Sequence, residues 1–264
     1  MSFIKKTFII LVTIMLFGCN QQPKTKADIV VGTIAGPETD LAKVGQQVAK
    51  EQYGLNVKII EFSDYNLPNE ALSDGSLDMN IYQHRPFLES SIQARHYPLS
   101  VIGKTFIYPM GIYSSRYKNL RDIPNAAMIS VPNDPSNQTR ALLLLQSAGL
   151  ITLPQKPLLS IHDIQTNPKN LNIKELDAAQ LPRMLQDVDA AVINTTFAIP
   201  AGLNPAKDAL FLESKDSPYA NIIVVRTLDK NQDKLKQFVQ CMHSQAVMKK
   251  AQELFGQNAI PAWD

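Results

Sequence analysis

Val131-Pro132-Asn133-Asp134-Pro135-Ser136-Asn137-Gln138-Thr139-Arg140-Ala141-Leu142-Leu143-Leu144-Leu145 carries a short apolar strand into an apolar helix. Asp134 is a good N-cap and Pro135 suits the first helical position, so a helix is expected over 134–148. Arg140 is the odd residue, because the start of a helix is the positive end of its dipole and favours anions. Two readings stand side by side. Either an anion arrives from outside to meet Arg140, or the arginine is solvated or paired with an acid of the chain such as Asp134. Asn137 and Arg140 are three apart and share a face. Helical side chains lean toward the N-terminus. In the first reading an amide, a guanidinium fork and the free helix N–H groups therefore converge on one carboxylate.

The same strand-to-helix unit recurs on both sides of this stretch. Residues 28–34 form a β-rich run ended by Ala35-Gly36-Pro37. Leu41, Val44, Val48 and Ala49 then recur at helical spacing, with Gly54 as the stop. Residues 57–62 read as a strand, 68–72 as a short helix, 81–82 as a short apolar strand, 86–95 as a helix and 99–108 as a strand. After Pro109 the alternation restarts. Strands are expected at 128–131, 171–176, 190–193, 211–212 and 222–225, and helices at 134–148 and 179–185. Leu235, Phe238, Val239, Met242, Val247, Ala251 and Leu254 give one long helical pattern over 231–255. Such alternation predicts an α/β fold with largely parallel sheets. Two consecutive sets predict two lobes, one of 27–108 with 227–264 and one of 109–226. A cleft between two such lobes is a common place for a small ligand.

The N-terminus reads as a signal peptide over 1–18. Lys5 and Lys6 precede a run from Phe8 to Phe17 that is nearly all apolar, and Gly18-Cys19 follows. The run is about ten residues, half of the roughly 20 that span a bilayer. Leu16-Phe17-Gly18-Cys19 resembles a bacterial lipobox, which implies cleavage before Cys19 and a lipid on its sulfur. Residues 19–26 then form a polar, lipidated tether. With Cys19 modified, Cys241 is the one cysteine left, so no intramolecular disulfide is expected. Removing Lys5 and Lys6 with the leader leaves 24 basic against 24 acidic side chains. That balance gives no footing for nucleic acid or a polybasic membrane contact.

The common catalytic signatures are missing: G-x-S-x-G, GxxxxGK[ST], a G-x-G-x-x-G after the first strand, and H-E-x-x-H. His84, His96, His162 and His243 are scattered without metal-ligand spacing. What stands out is polar and aromatic side chains at loop–helix junctions. Tyr82, His84 and Phe87 surround one turn, and Tyr65 lies at a similar one. Aromatic walls with an imidazole suit an apolar or thioether side chain, and they equally suit ordinary core packing. Asn194 follows one buried strand and Asn221 precedes another. An amide there can orient an ammonium or a carboxylate, or serve as a turn residue.

Read together, the segments DYNLPNEALSDGSLDMN, YQHRPFL, GKTFIYPMGIYS, VPNDPSNQTRALLLLQSAGLI, NPKNLNIKELDAAQLPR, AVINTTFA and SPYANIIVVR resemble the NlpA/MetQ family of methionine-binding lipoproteins. The likeness runs from Cys19 to Trp263. It implies a periplasmic-binding-protein fold, type II-like, with the ligand cleft between the lobes. It implies a substrate-binding lipoprotein that captures L-methionine and delivers it to the permease and ATPase of an ABC importer, without a cofactor and without catalysis. It further implies a monomer held in the cell envelope by lipid on Cys19 and facing the periplasm in a two-membrane cell. Carried onto this chain, Tyr65, Tyr82, His84 and Phe87 surround the ligand side chain. Arg140 pairs with the carboxylate beside Asn137, and Asn194 and Asn221 hold the amino and carboxylate groups. Tyr82 and Phe87 depart from the family, which commonly has phenylalanine and tyrosine in those places; one hydroxyl thus moves. The rivals are another amino acid or a methionine-containing dipeptide in the same cleft, and an adhesin or interaction lipoprotein.

Overall fold

The computed structural model describes residues 27–263, so the signal peptide, Cys19 and the whole tether lie outside the described residues. Two sheets build the molecule. In chain order the strands are β1 (Ile29–Ile34), β2 (Val57–Phe62), β3 (Met79–His84), β4 (Leu99–Ile107), β5 (Gly111–Tyr113), β6 (Met128–Pro132), β7 (Asn172–Leu176), β8 (Ala190–Ile193), β9 (Ala209–Leu212), β10 (Ala220–Arg226) and β11 (Ile260–Pro261). The first sheet runs β11-β4-β10-β3-β1-β2 and the second β7-β6-β8-β5-β9. The helices are α1 (Pro37–Tyr53), α2 (Pro68–Ser73), α3 (Arg85–Arg95), α4 (Pro135–Ser147), α5 (Leu181–Met184), α6 (Thr195–Ala198), α7 (Pro205–Asp208), α8 (Asp233–Met242) and α9 (Gln245–Phe255).

Three expectations are corrected. The sheets are mixed rather than largely parallel. β1 runs parallel to β2 and β3, and β6 to β7 and β8, but β10 and β5 enter antiparallel. Each of these two strands is the first that the chain forms after crossing between lobes. Second, β10 belongs to the first sheet, between β3 and β4, so the return crossing falls at 213–219 rather than after 226. The apolar run 222–225 suits the interior of either sheet, and only its pairing partners assign it. Third, the helical pattern over 231–255 is two helices. Ser244 caps α9 by accepting from the Val247 N–H, which restarts the helix while the apolar stripe continues.

Ile29, Val31, Phe106 and Phe238 are buried where α1, α8 and α9 cover one face of the first sheet. Leu72, Leu88 and Val224 fill the opposite face. α4 lays Ala141, Leu142 and Leu145 against Ile129 and Val192 of the second sheet. A further cluster spans both lobes, joining Ile34 and Tyr82 to Ile193 and Phe197. Polar bridges cross the same cleft. Thr196 Oγ1 donates to Glu38 at 2.7 Å, and Asn66 donates to Asp177 at 3.3 Å. Gly36, at φ +130°, lets α1 begin against the second lobe; a Cβ there would stand 2.9 Å from Pro200 Cγ.

Candidate functional site

The carboxyl ends of parallel strands converge on the cleft, the place where open α/β sheets receive ligands. β3 ends at His84, β6 leads into α4, and β8 leads into Asn194. Asn221, near the start of β10, is paired with His84 in the sheet register. All eight expected residues, Tyr65, Tyr82, His84, Phe87, Asn137, Arg140, Asn194 and Asn221, line one cavity. Gln83, Tyr108, Thr195 and Thr196 line it as well.

The aromatic wall is continuous. The Tyr65 ring lies 5.8 Å from Tyr82 and 5.8 Å from Phe87, and Phe197 from the other lobe approaches it at 4.8 Å. Tyr82 carries the relocated hydroxyl, which donates to the Tyr65 carbonyl at 3.4 Å. Burial raises the Tyr82 pKa well above its ordinary value, so the ring stays neutral.

The polar side of the cavity has a defined direction of donation. Both carboxylate oxygens of Asp134 accept from Asn137 Nδ2, at 3.1 and 3.0 Å, and Asp134 also caps α4 by accepting from the Asn137 N–H. Asn137 Oδ1 must then be an acceptor. It takes Asn194 Nδ2 at 2.8 Å and His84 Nε2 at 3.2 Å. His84 therefore carries its proton on Nε2, and its Nδ1 accepts from the Phe87 N–H at 3.3 Å. Burial, reinforced by the Arg140 charge, pushes the His84 pKa down to about 3, against the pull of the Asn137 bond. Asn194 donates one of its two amide hydrogens to Asn137. Its Oδ1 is buried and has no hydrogen-bond partner among the described residues.

Asp134 is the chain's own anion at the start of α4. Arg140 also has a partner within the chain, and it is not Asp134. Its Nε and Nη2 donate to the two oxygens of Glu213 at 2.9 and 2.5 Å, and Nη2 also donates to the Tyr108 carbonyl at 2.9 Å. The guanidinium lies over the Tyr219 ring, 4.5 Å from its centroid. Arg140 Nη1 has no hydrogen-bond partner among the described residues and remains available. Asn137, held by Asp134 and holding Asn194 and His84, orients its neighbours.

Glu213, Tyr219, Phe197 and Thr196 are the residues that sequence reasoning missed. Glu213 and Tyr219 flank the return crossing, where no periodic pattern marks them. Thr196 and Phe197 lie in AVINTTFA, directly after Asn194, and adjacency was the signal available.

A profile of the NlpA lipoprotein family matches residues 29–263. A D-methionine-binding lipoprotein MetQ of Salmonella typhi is 47% identical over the whole of both chains. A periplasmic substrate-binding protein of an ABC transporter from Coxiella burnetii is 56% identical, with a TM-score of 0.86 over 89% of this chain and all of that one. A nutrient-binding protein from Burkholderia cenocepacia, solved bound to methionine, is 50% identical, with a TM-score of 0.87 and the same coverage.

Proposed function

The chain belongs to the NlpA lipoprotein family, and we propose that it captures methionine in the interlobe cavity and presents it to an ABC importer. The observation that carries this reading is the meeting of all eight site residues on one cavity. The cavity joins an aromatic wall, a guanidinium with a free Nη1 and an unpaired amide oxygen. Those three features match the three ends of a zwitterionic amino acid with a thioether. Tyr65, Tyr82 and Phe87 take the side chain, since sulfur interacts favourably with ring edges. Arg140 takes the carboxylate through Nη1, and Asn194 Oδ1 accepts from the ammonium. Asn221, near the start of β10 in the interior of the first sheet, contacts the ligand from the other lobe.

Capture is a shift in population rather than a reaction. The two half-sites lie on different lobes, so a ligand that touches both favours the closed arrangement. Apolar burial contributes about 25 cal/mol per Å², and the charge-assisted bonds strengthen in a drier site. The one imidazole in the cavity has both nitrogens engaged, which suits a wall and not a general base. The lipid on Cys19 would keep the protein at the membrane, in the envelope, as a monomer serving the permease.

Titration calorimetry of ligand-stripped protein with L- and D-methionine tests the reading. Tight one-to-one binding of methionine is expected, with Asn194→Ala weaker by about tenfold or more. Absence of heat with both enantiomers would overturn it. The relative affinities decide between the L form expected from the sequence and the D form in the relatives' name.

A further inference from the structure

Behind the cavity wall lies a carboxyl group without an assigned task. Glu38 sits in the first turn of α1 and is 6% exposed. Thr196 Oγ1 donates to its Oε1 at 2.7 Å, and Asn221 Nδ2 reaches the same oxygen at 3.5 Å. Both partners line the cavity. Glu38 Oε2 is buried and has no hydrogen-bond partner among the described residues. A buried acceptor left unpaired is costly and calls for something that meets it.

Asn194 Oδ1 is a second such acceptor, so the lobes supply one each. Two buried acceptors without partners, one from each lobe, suit a cation that carries several N–H groups. A protonated amine is compact and offers three. The alternative cation, a metal ion, lacks a ligand set, because no cluster of three His, Cys, Asp or Glu occurs among the described residues. Resting on the proposed function, we propose that Glu38 is the counter-ion of the ligand's protonated amino group and restricts the site to ligands with a free amine. An N-acylated methionine, or a peptide bearing methionine at its C-terminus, offers no such group at that position.

The neighbours of Glu38 leave it as the group that titrates near neutrality. Tyr65 and Tyr108 face it, and burial raises both hydroxyls above their ordinary value. On the far wall His84 stays neutral down to about 3, Arg140 is the fixed cation paired with Glu213, and burial raises Asp134 from 3.8. Burial pushes the Glu38 carboxyl up to about 7, with only the Thr196 bond opposing it. An arriving ammonium stabilises the carboxylate, so the carboxyl proton passes to buffer while the ammonium keeps its own three. The sign follows. Binding at neutral pH releases protons, affinity levels off above the free carboxyl's range, and it falls about tenfold per pH unit below it.

The test is calorimetric titration of the full, ligand-stripped lipoprotein in detergent at pH 7, in phosphate and in Tris. The probes are methionine and 4-(methylthio)butanoate, which keeps the thioether and carboxylate but lacks the amine. The wild type is expected to release about half a proton per methionine. Glu38→Gln is expected to lose about 100-fold in methionine affinity, with the amine-free acid changed less than about threefold. A Glu38→Gln protein that binds methionine within about threefold of wild type overturns the proposal. Should that variant not refold, the wild type decides, and heats independent of buffer overturn it. A wild type that binds neither probe sinks the methionine reading itself, and this inference with it.

Discussion

Arg140 is anchored more firmly than its helical address suggests. It is 4% exposed, bidentate to Glu213, and bonded to the Tyr108 carbonyl where the chain leaves the first lobe. Glu213 Oε2 also accepts from the Met110 N–H at 3.0 Å. Arg140→Ala therefore strands a nearly buried carboxylate, and it should cost about 3 kcal/mol of stability besides abolishing tight binding. The double variant Arg140→Ala/Glu213→Gln should recover most of the stability in thermal denaturation, yet still fail to bind methionine. If it regains binding, the guanidinium is structural and the carboxylate is read elsewhere. The sequence made Arg140 and Asn137 legible because helical spacing puts them on one face. It hid Glu213, which lies 73 residues downstream. A long-range ion pair leaves no periodic trace.

At the scale of elements, the boundaries hold the chemistry. Asp134 caps α4 and through Asn137 sets the tautomer of His84, so a helix start dictates which nitrogen of a remote ring is protonated. Gly36 opens α1 in a backbone conformation that glycine adopts and other residues resist. A methyl group there meets Pro200 across the cleft. Gly36→Ala should disfavour the closed arrangement and weaken methionine binding about tenfold. Titration of Gly36→Ala/Pro200→Ala checks the cause, since relief of the contact should restore part of the affinity. Element positions were mostly readable from apolar periodicity and stops such as Gly54. The assignment of β10 was not, because Ile222–Val225 is buried on both sides and suits either sheet. The break at Ser244 was legible as a capping residue but masked by an apolar stripe that continues through it.

At the scale of the whole molecule, the cavity is a product of the two crossings. Tyr108 and Met110 on the first and Glu213 and Tyr219 on the second all contact Arg140 or its partner. Glu213 N–H donates back to the Met110 carbonyl at 2.9 Å, so the crossings are tied side by side. The composition of the two lobes differs in one respect with consequences beyond binding. Every strand of the second sheet lies within 111–212, whereas the first sheet needs β10 between β3 and β4. The second lobe should therefore be autonomous. A fragment of residues 109–219 is expected to unfold cooperatively in urea, and one of residues 27–108 to show no such transition. A cooperative 27–108 fragment would refute this. For a chain that emerges from its N-terminus, the order of arrival and the order of completion then differ. The lobe that emerges first waits with a gap in its sheet while the later one finishes, and it exposes unpaired strand edges until residue 226 is through. Chaperone demand during folding should therefore fall on the first lobe.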